Sequence, residues 1–217
     1  MVKSGLKSEI VENGEVPRVS AYRLASHLGS AFVLYGLLTN TAINILSPNQ
    51  TFTSPSATIN LIKKFKSRAH GLAALAFFTA LSGAFVAGLD AGLIYNEFPT
   101  MGGDMKLIPS DIWDQKLGLR NPFENPVCAQ FNHRILAIST ITGISALWYQ
   151  SRKIPMLPKS IKLLSNALMI AAWAQGSLGV LTLLNHVPIP LASAHQAGSV
   201  TLMTFALWLI NRLKYLK

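Results

Sequence analysis

Five apolar stretches, each long enough to cross a hydrocarbon layer, constrain this 217-residue chain more than any other feature. They run roughly 20–46, 69–93, 129–150, 161–184 and 191–213. A bilayer core takes about 20 helical residues. Inside it every backbone N–H and C=O needs an internal partner, so helices are the form such segments take. Only 13% of the residues are charged, against about 25% in soluble domains. The expected fold class is all-α integral membrane, a helical bundle of five transmembrane helices.

Five spans place the connecting loops on alternating sides, and charge sorts with them. The loops after the first, third and fifth stretches carry eleven of the nineteen Lys and Arg residues and no acid, while all nine acids lie on the other side. Cytoplasmic or matrix-side loops are enriched in Lys and Arg, so the basic side faces the cytoplasm or matrix. Trp148, Tyr149 and Tyr215 lie at the basic-side ends, where interfacial aromatics belong. The net charge of +10 does not indicate nucleic acid, because the basic residues cluster at the ends of apolar runs and form no stripe interleaved with aromatics. One cysteine, Cys128, excludes an intramolecular disulfide and a cysteine-only metal site. Residues 1–19 form an outer-face loop with neither the apolar core of a signal peptide nor an acid-poor, Arg-rich transit pattern, since Glu9, Glu12 and Glu15 intervene. Asn49-Gln-Thr51 matches a glycosylation sequon, but on the basic side it reads as a chance match.

Ionisable residues inside membrane spans are functional candidates by default. His133, in Phe131-Asn-His-Arg134, and His195, in Ser193-Ala-His-Gln196, each lie about four residues inside an apolar stretch, about 6 Å deep at 1.5 Å per residue. Both stretches enter from the acidic side, so the two imidazoles share a level. Small neighbours (Ala129, Ala137, Ala192, Ala194, Gly198 and Ser199) let helices approach or leave room for a flat ligand. Zinc takes three or four protein ligands; two facing imidazoles suit a haem iron better. The plainer alternative is a pair of helix-end histidines bonded to backbone carbonyls. His27 enters from the same side, about seven residues and near 10 Å deep, as a third candidate ligand with no visible partner. His70 opens its stretch from the basic side and cannot join them, and His186 lies in a turn. Arg134 points away from His133, since one helical step turns about 100°; a ligand carboxylate such as a propionate and a lipid phosphate are both open as its partner. Asp90 caps a loop or serves a proton path. Gly176 and Gly179 read as close helix packing, and Gln175 needs a partner. Leu24-Ala-Ser-His27-Leu-Gly-Ser30 echoes Ala192-Ser-Ala-His195-Gln-Ala-Gly198-Ser199, a hint of duplicated helical units.

Several of these motifs carry a family resemblance. Gly88-Leu-Asp-Ala-Gly-Leu-Ile-Tyr-Asn-Glu-Phe-Pro-Thr-Met101, Ile108-Pro109, Asn121-Pro-Phe-Glu-Asn125 and Gln130-Phe-Asn-His-Arg134 resemble haem A synthase, most closely its mitochondrial, cytochrome-oxidase-assembly branch. Ala194-His-Gln-Ala-Gly198 and Arg23-Leu-Ala-Ser-His-Leu-Gly29 fit the same family. The resemblance implies a multi-pass mitochondrial inner-membrane enzyme of two pseudo-repeated four-helix halves, each holding a haem between two histidines near the outer face. One half takes the substrate haem O, whose C8 methyl is oxidised to the formyl of haem A for cytochrome oxidase; the other holds a haem b that passes electrons. By this mapping His133 and His195 are the carboxy-terminal pair, and His27 is one ligand of the amino-terminal pair.

The chain then divides into the outer-face loop 1–19, a helix 20–47 from an incomplete amino-terminal half, and a complete four-helix haem-binding half, 69–213. The earlier spans, the partner of His27 and an outer-loop glutamate of the family have no counterpart here, so the chain is expected to be a fragment or one half of a split protein. Such a chain suits haem b binding better than catalysis. The alternative is a bis-histidine electron-transfer or haem-carrier membrane module, and further off a transporter or scaffold. Implied partners are membrane lipid, haem, haem O synthase or redox donor proteins, and a second copy of the chain.

Overall fold

The computed structural model describes residues 19–47, 52, 58–103 and 105–216. The amino-terminal loop reading, apart from Val19, and the sequon at 49–51 lie outside the described residues. Among the described residues there are six α-helices and no strand beyond one isolated bridge, Phe52 to Leu216. The helices are α1 (Ala21–Leu46), α2 (Ile59–Gly88), the one-turn α3 (Asn121–Glu124), α4 (Pro126–Lys153), α5 (Lys159–Leu184) and α6 (Ile189–Leu213). Three of the five long helices, α1, α2 and α5, are long and apolar enough to cross a membrane on length and composition alone. The other two, α4 and α6, carry the candidate histidines His133 and His195.

Four helices close a ring: α2 packs on α4, α4 on α5, α5 on α6, and α6 back on α2. α1 lies outside it, against α2 and α6. Successive long helices are antiparallel, as cross-links at both ends show. At the acidic end, the Tyr22 hydroxyl of α1 donates to Glu124 at 3.0 Å, and Asn96 Nδ2 donates to the Leu183 carbonyl of α5 at 2.8 Å. At the basic end, Lys66 Nζ donates to the Leu216 carbonyl at 2.6 Å and Arg68 to Gln150 at 2.9 Å, while Arg152 contacts Asn166. Asn211 of α6 donates to Asn40 and Asn44 of α1 at 2.9 and 2.7 Å. Where α1 begins it crosses the end of α2 so closely that a Cβ on Gly88 would meet Ala21 Cα at 2.6 Å.

The second helix departs from the sequence reading at both ends. It begins at Ile59, inside what reads as a polar loop, and stops at Gly88, short of Leu93. The lysines at 63, 64 and 66 suggest a loop, but Ile62, Phe65 and Ala69 recur on one face and are 5%, 0% and 4% exposed. One buried stripe is enough to hold an amphipathic turn at the interface while the long basic side chains reach water. At the other end Asp90 adopts a left-handed conformation, φ 48°, and the chain turns through a short 3₁₀ helix, Ala91–Leu93.

The main core fills the basic half of the ring. It runs from Ile62 to Ala76 on α2, Ile144 to Leu147 on α4, Ile161 to Ala172 on α5 and Leu202 to Leu213 on α6. It stops short of the level of His133 and His195.

Candidate functional site

Each histidine lies in the first half of its helix, behind an entry built by local sequence. Asn125 caps α4, its side chain accepting from the Val127 and Cys128 amides at 2.9 and 3.3 Å, and Pro126 fills the first turn. A proline also fills the first turn of α6. Proline there loses no intrahelical hydrogen bond, because the first N–H groups have no partner in the helix.

The two histidines occupy equivalent settings. His133 faces Gly83 near the end of α2; a Cβ on Gly83 would meet His133 Cε1 at 3.2 Å. His195 faces Gly179 near the end of α5; a Cβ there would meet His195 Cε1 at 2.8 Å. Each ring thus fills the space of a missing methyl on the antiparallel helix before it. His133 Nδ1 lies 2.8 Å from Ser82 Oγ, which itself donates to the Thr79 carbonyl at 2.7 Å. The buried Nδ1 of His195 has no hydrogen bond.

Gln175 finds the partner that the sequence required: its Nε2 donates to the His195 carbonyl at 2.8 Å, tying α5 to α6 at the histidine, and its Oε1 packs against Gly198. On the other side of the ring Thr79 and Thr140 share a hydrogen bond at 2.9 Å, tying α2 to α4. Gly176 packs against the Ile141 side chain, as read from the sequence, whereas Gly179 faces an imidazole.

Arg134 points into the loop after α2. Its Nη1 donates to the Thr100 carbonyl at 2.9 Å and its Nη2 to the Tyr95 carbonyl at 3.1 Å, where Gln130 Nε2 also donates, at 3.0 Å. Its Nε is buried without a partner. The loop is held from within by Asn121, 0% exposed. Asn121 Nδ2 donates to the Asp114 and Gly118 carbonyls, and its Oδ1 accepts from the Asp114 amide and from Asn125 Nδ2. The Gly103 amide donates to Glu97 Oε1 at 2.8 Å, which holds the Glu97 carboxyl below its usual range. The Tyr95 hydroxyl donates to Asp111 at 3.0 Å, and that bond raises its own pKa.

The remaining candidates stand apart. His27 is exposed on α1, outside the ring that carries His133 and His195. His70 is exposed at the basic end, its Nδ1 2.8 Å from the Lys66 carbonyl. His186 is exposed in the turn before α6, and Cys128 is buried and unpaired. Among the described residues no group of three or more His, Cys, Asp and Glu could hold a metal ion. Sequence reading missed Ser82, Thr79 and Asn121. The first two carry no signal of their own, since Ser and Thr in apolar helices commonly back-bond to their own turn. Asn121 was visible only as part of a motif.

Fold and site together define a helical membrane protein with two imidazoles, each packed against a glycine of a neighbouring helix. The family model described as cytochrome oxidase assembly protein, COX15-CtaA, matches residues 1–207, and the chain belongs to that family. It is 49% identical over 214 residues to "Heme A synthase COX15" of Bos taurus and 50% identical to the protein of that name in Homo sapiens. Both alignments cover 99% of this chain and 50% of the relative. It is 42% identical over 235 residues to the "Heme A synthase-mitochondrial ferredoxin fusion protein" of Schizosaccharomyces pombe, covering 98% of this chain and 38% of that protein. The chain spans about half the length of the curated mammalian relatives it matches. No solved structure gives a significant match.

Proposed function

We propose that this chain is a haem-binding part of a haem A synthase, with His133 and His195 as the two side chains that would hold one haem b. The observation that carries this is the equivalence of the two settings: each imidazole stands with its Cε1 against a glycine on the antiparallel helix before it. The donor set fits the group, since His133 and His195 supply two imidazoles, the side chains that would hold a haem iron. The core ends below this level. Bound there, the haem supplies reversible one-electron transfer.

The chain's own residues do the holding. Gly83 and Gly179 let the rings stand close to α2 and α5. Gln175 locks α6 to α5 at the His195 carbonyl. Arg134 pins the Tyr95–Thr100 segment over the acidic end and offers its Nε to a propionate.

In this reading α1, α2, α4, α5 and α6 all span the mitochondrial inner membrane. The ring of α2, α4, α5 and α6 is the complete carboxy-terminal half, and α1 is the last helix of the other half. His27, exposed on α1, serves the second haem site there, where haem O is oxidised to haem A. The fusion found in Schizosaccharomyces pombe supports a ferredoxin-type electron donor as a partner.

A reduced-minus-oxidised spectrum of the purified, haem-loaded protein tests the site. Low-spin bands present in the parent and lost in both His133→Ala and His195→Ala support it; bands unchanged in either variant refute it. Chromatography of haems extracted after incubation with haem O and reductant tests catalysis, which is expected only when the partner half is supplied.

A further inference from the structure

The two halves of the site are related position by position. Gly83 matches Gly179, each facing a histidine Cε1. Thr79 and Gln175, four residues earlier, each tie their helix to the next, Thr79 to Thr140 and Gln175 to the His195 carbonyl. The residues just before the glycines break the match: Ser82 on α2 and Leu178 on α5. Only His133 therefore has a hydroxyl at its Nδ1, at 2.8 Å, and the buried Nδ1 of His195 has no hydrogen bond.

A serine hydroxyl has one proton. Ser82 Oγ gives it to the Thr79 carbonyl, 2.7 Å away, which can only accept. What Ser82 turns to His133 is then a lone pair, and the ring must donate from Nδ1–H. This leaves Nε2 unprotonated. We infer that Ser82 is a positioning residue that fixes the Nδ1–H tautomer of His133 and makes that imidazole the more basic of the two that would hold a haem. The inference rests on the bis-imidazole reading. A hydrogen bond from the far nitrogen orients a metal-bound histidine and raises its basicity. A more basic ligand favours ferric over ferrous iron, so the bond lowers the potential of the centre, and Leu178 offers His195 no such bond.

The test uses the whole chain in nanodiscs, as the parent, Ser82→Ala and Ser82→Thr. Without haem, ring nitrogen chemical shifts of ¹⁵N-histidine-labelled protein, assigned with His133→Ala, read the tautomer. With haem, a redox titration reads the midpoint. Ser82→Ala is expected to release His133 from the single Nδ1–H tautomer. It should also raise the midpoint, shifting the ferrous-to-ferric ratio at fixed potential by about three- to tenfold, up to ~59 mV for a one-electron couple. Ser82→Thr, which keeps the hydroxyl, should match the parent in both. Parent-like tautomer and midpoint in Ser82→Ala would overturn the inference, as would equal shifts in both variants, which would mean packing and not the hydroxyl. A parent without low-spin bands instead defeats the haem reading, and the tautomer measurement still decides the role of Ser82.

Discussion

Gly179→Ala isolates the closest approach in the site. The added methyl would lie 2.8 Å from His195 Cε1, 3.3 Å from Nε2 and 3.5 Å from Nδ1. Ordinary contact begins near 3.4 Å, so the ring must retreat by about 0.6 Å, beyond the ~0.5 Å within which a ligand geometry has to be held. Gly83→Ala places its methyl 3.2 Å from His133 Cε1, a shortfall of only about 0.2 Å and inside that tolerance. Alanine also favours the helix over glycine by about 0.8–1.0 kcal/mol, so neither change should weaken α2 or α5. Loss of ligand then reports ring displacement and not unfolding. Disturbing the support of a metal-bound histidine typically costs 10–100-fold in affinity. Gly179→Ala should therefore weaken haem binding by about tenfold or more, and Gly83→Ala by much less. The assay is haem bound per protein under limiting haem, with low-spin EPR for the coordination state and circular dichroism for helix content. Parent-like binding and spectrum in Gly179→Ala would refute the reasoning, as would a larger defect in Gly83→Ala.

Two further predictions concern the loop over the acidic end. Asn121→Ala strands buried partners in the turn before α4 and should cost about 1–3 kcal/mol, whereas the exposed Asn185→Ala control stays within about 0.5 kcal/mol; denaturant midpoints in detergent compare them, and equal midpoints would show that Asn121 does not organise the turn. Glu97 is held below its ordinary value of 4.5, so the stability it lends the loop is full above that pH and fades as pH falls through its lowered value. Hydrogen exchange of residues 89–125 should show that decline in the parent and not in Glu97→Gln, and parallel pH profiles would show that the bond to Gly103 contributes nothing.

Much of the architecture is legible in the residues, because membrane helices announce themselves by length, apolarity and the sign of their flanking charge. The antiparallel order implied by alternating basic and acidic loops appears in the cross-links at both ends, from Tyr22–Glu124 to Lys66–Leu216. Helix ends were less legible. The start of α2 at Ile59 hides among lysines because only its buried face, Ile62 and Phe65, decides the outcome. Arg134 illustrates a different limit. Its charge and depth left a ligand carboxylate and a lipid phosphate open, and two of its nitrogens instead serve the carbonyls of Thr100 and Tyr95.

The sequence by itself determined that this chain is helical, which ends are basic, and that His133, His195 and His27 are ionisable groups placed inside apolar runs. Those properties follow from local composition and from the cost of polar groups in hydrocarbon. Only the tertiary structure decided which helices form the ring, that His27 lies outside it, and that Ser82 meets His133 while Gly179 faces His195 and Gln175 bonds the His195 carbonyl. Those relations depend on the rotation and stagger of packed helices. A shift of one residue turns a side chain by about 100°, and no local pattern records which of the resulting faces will meet.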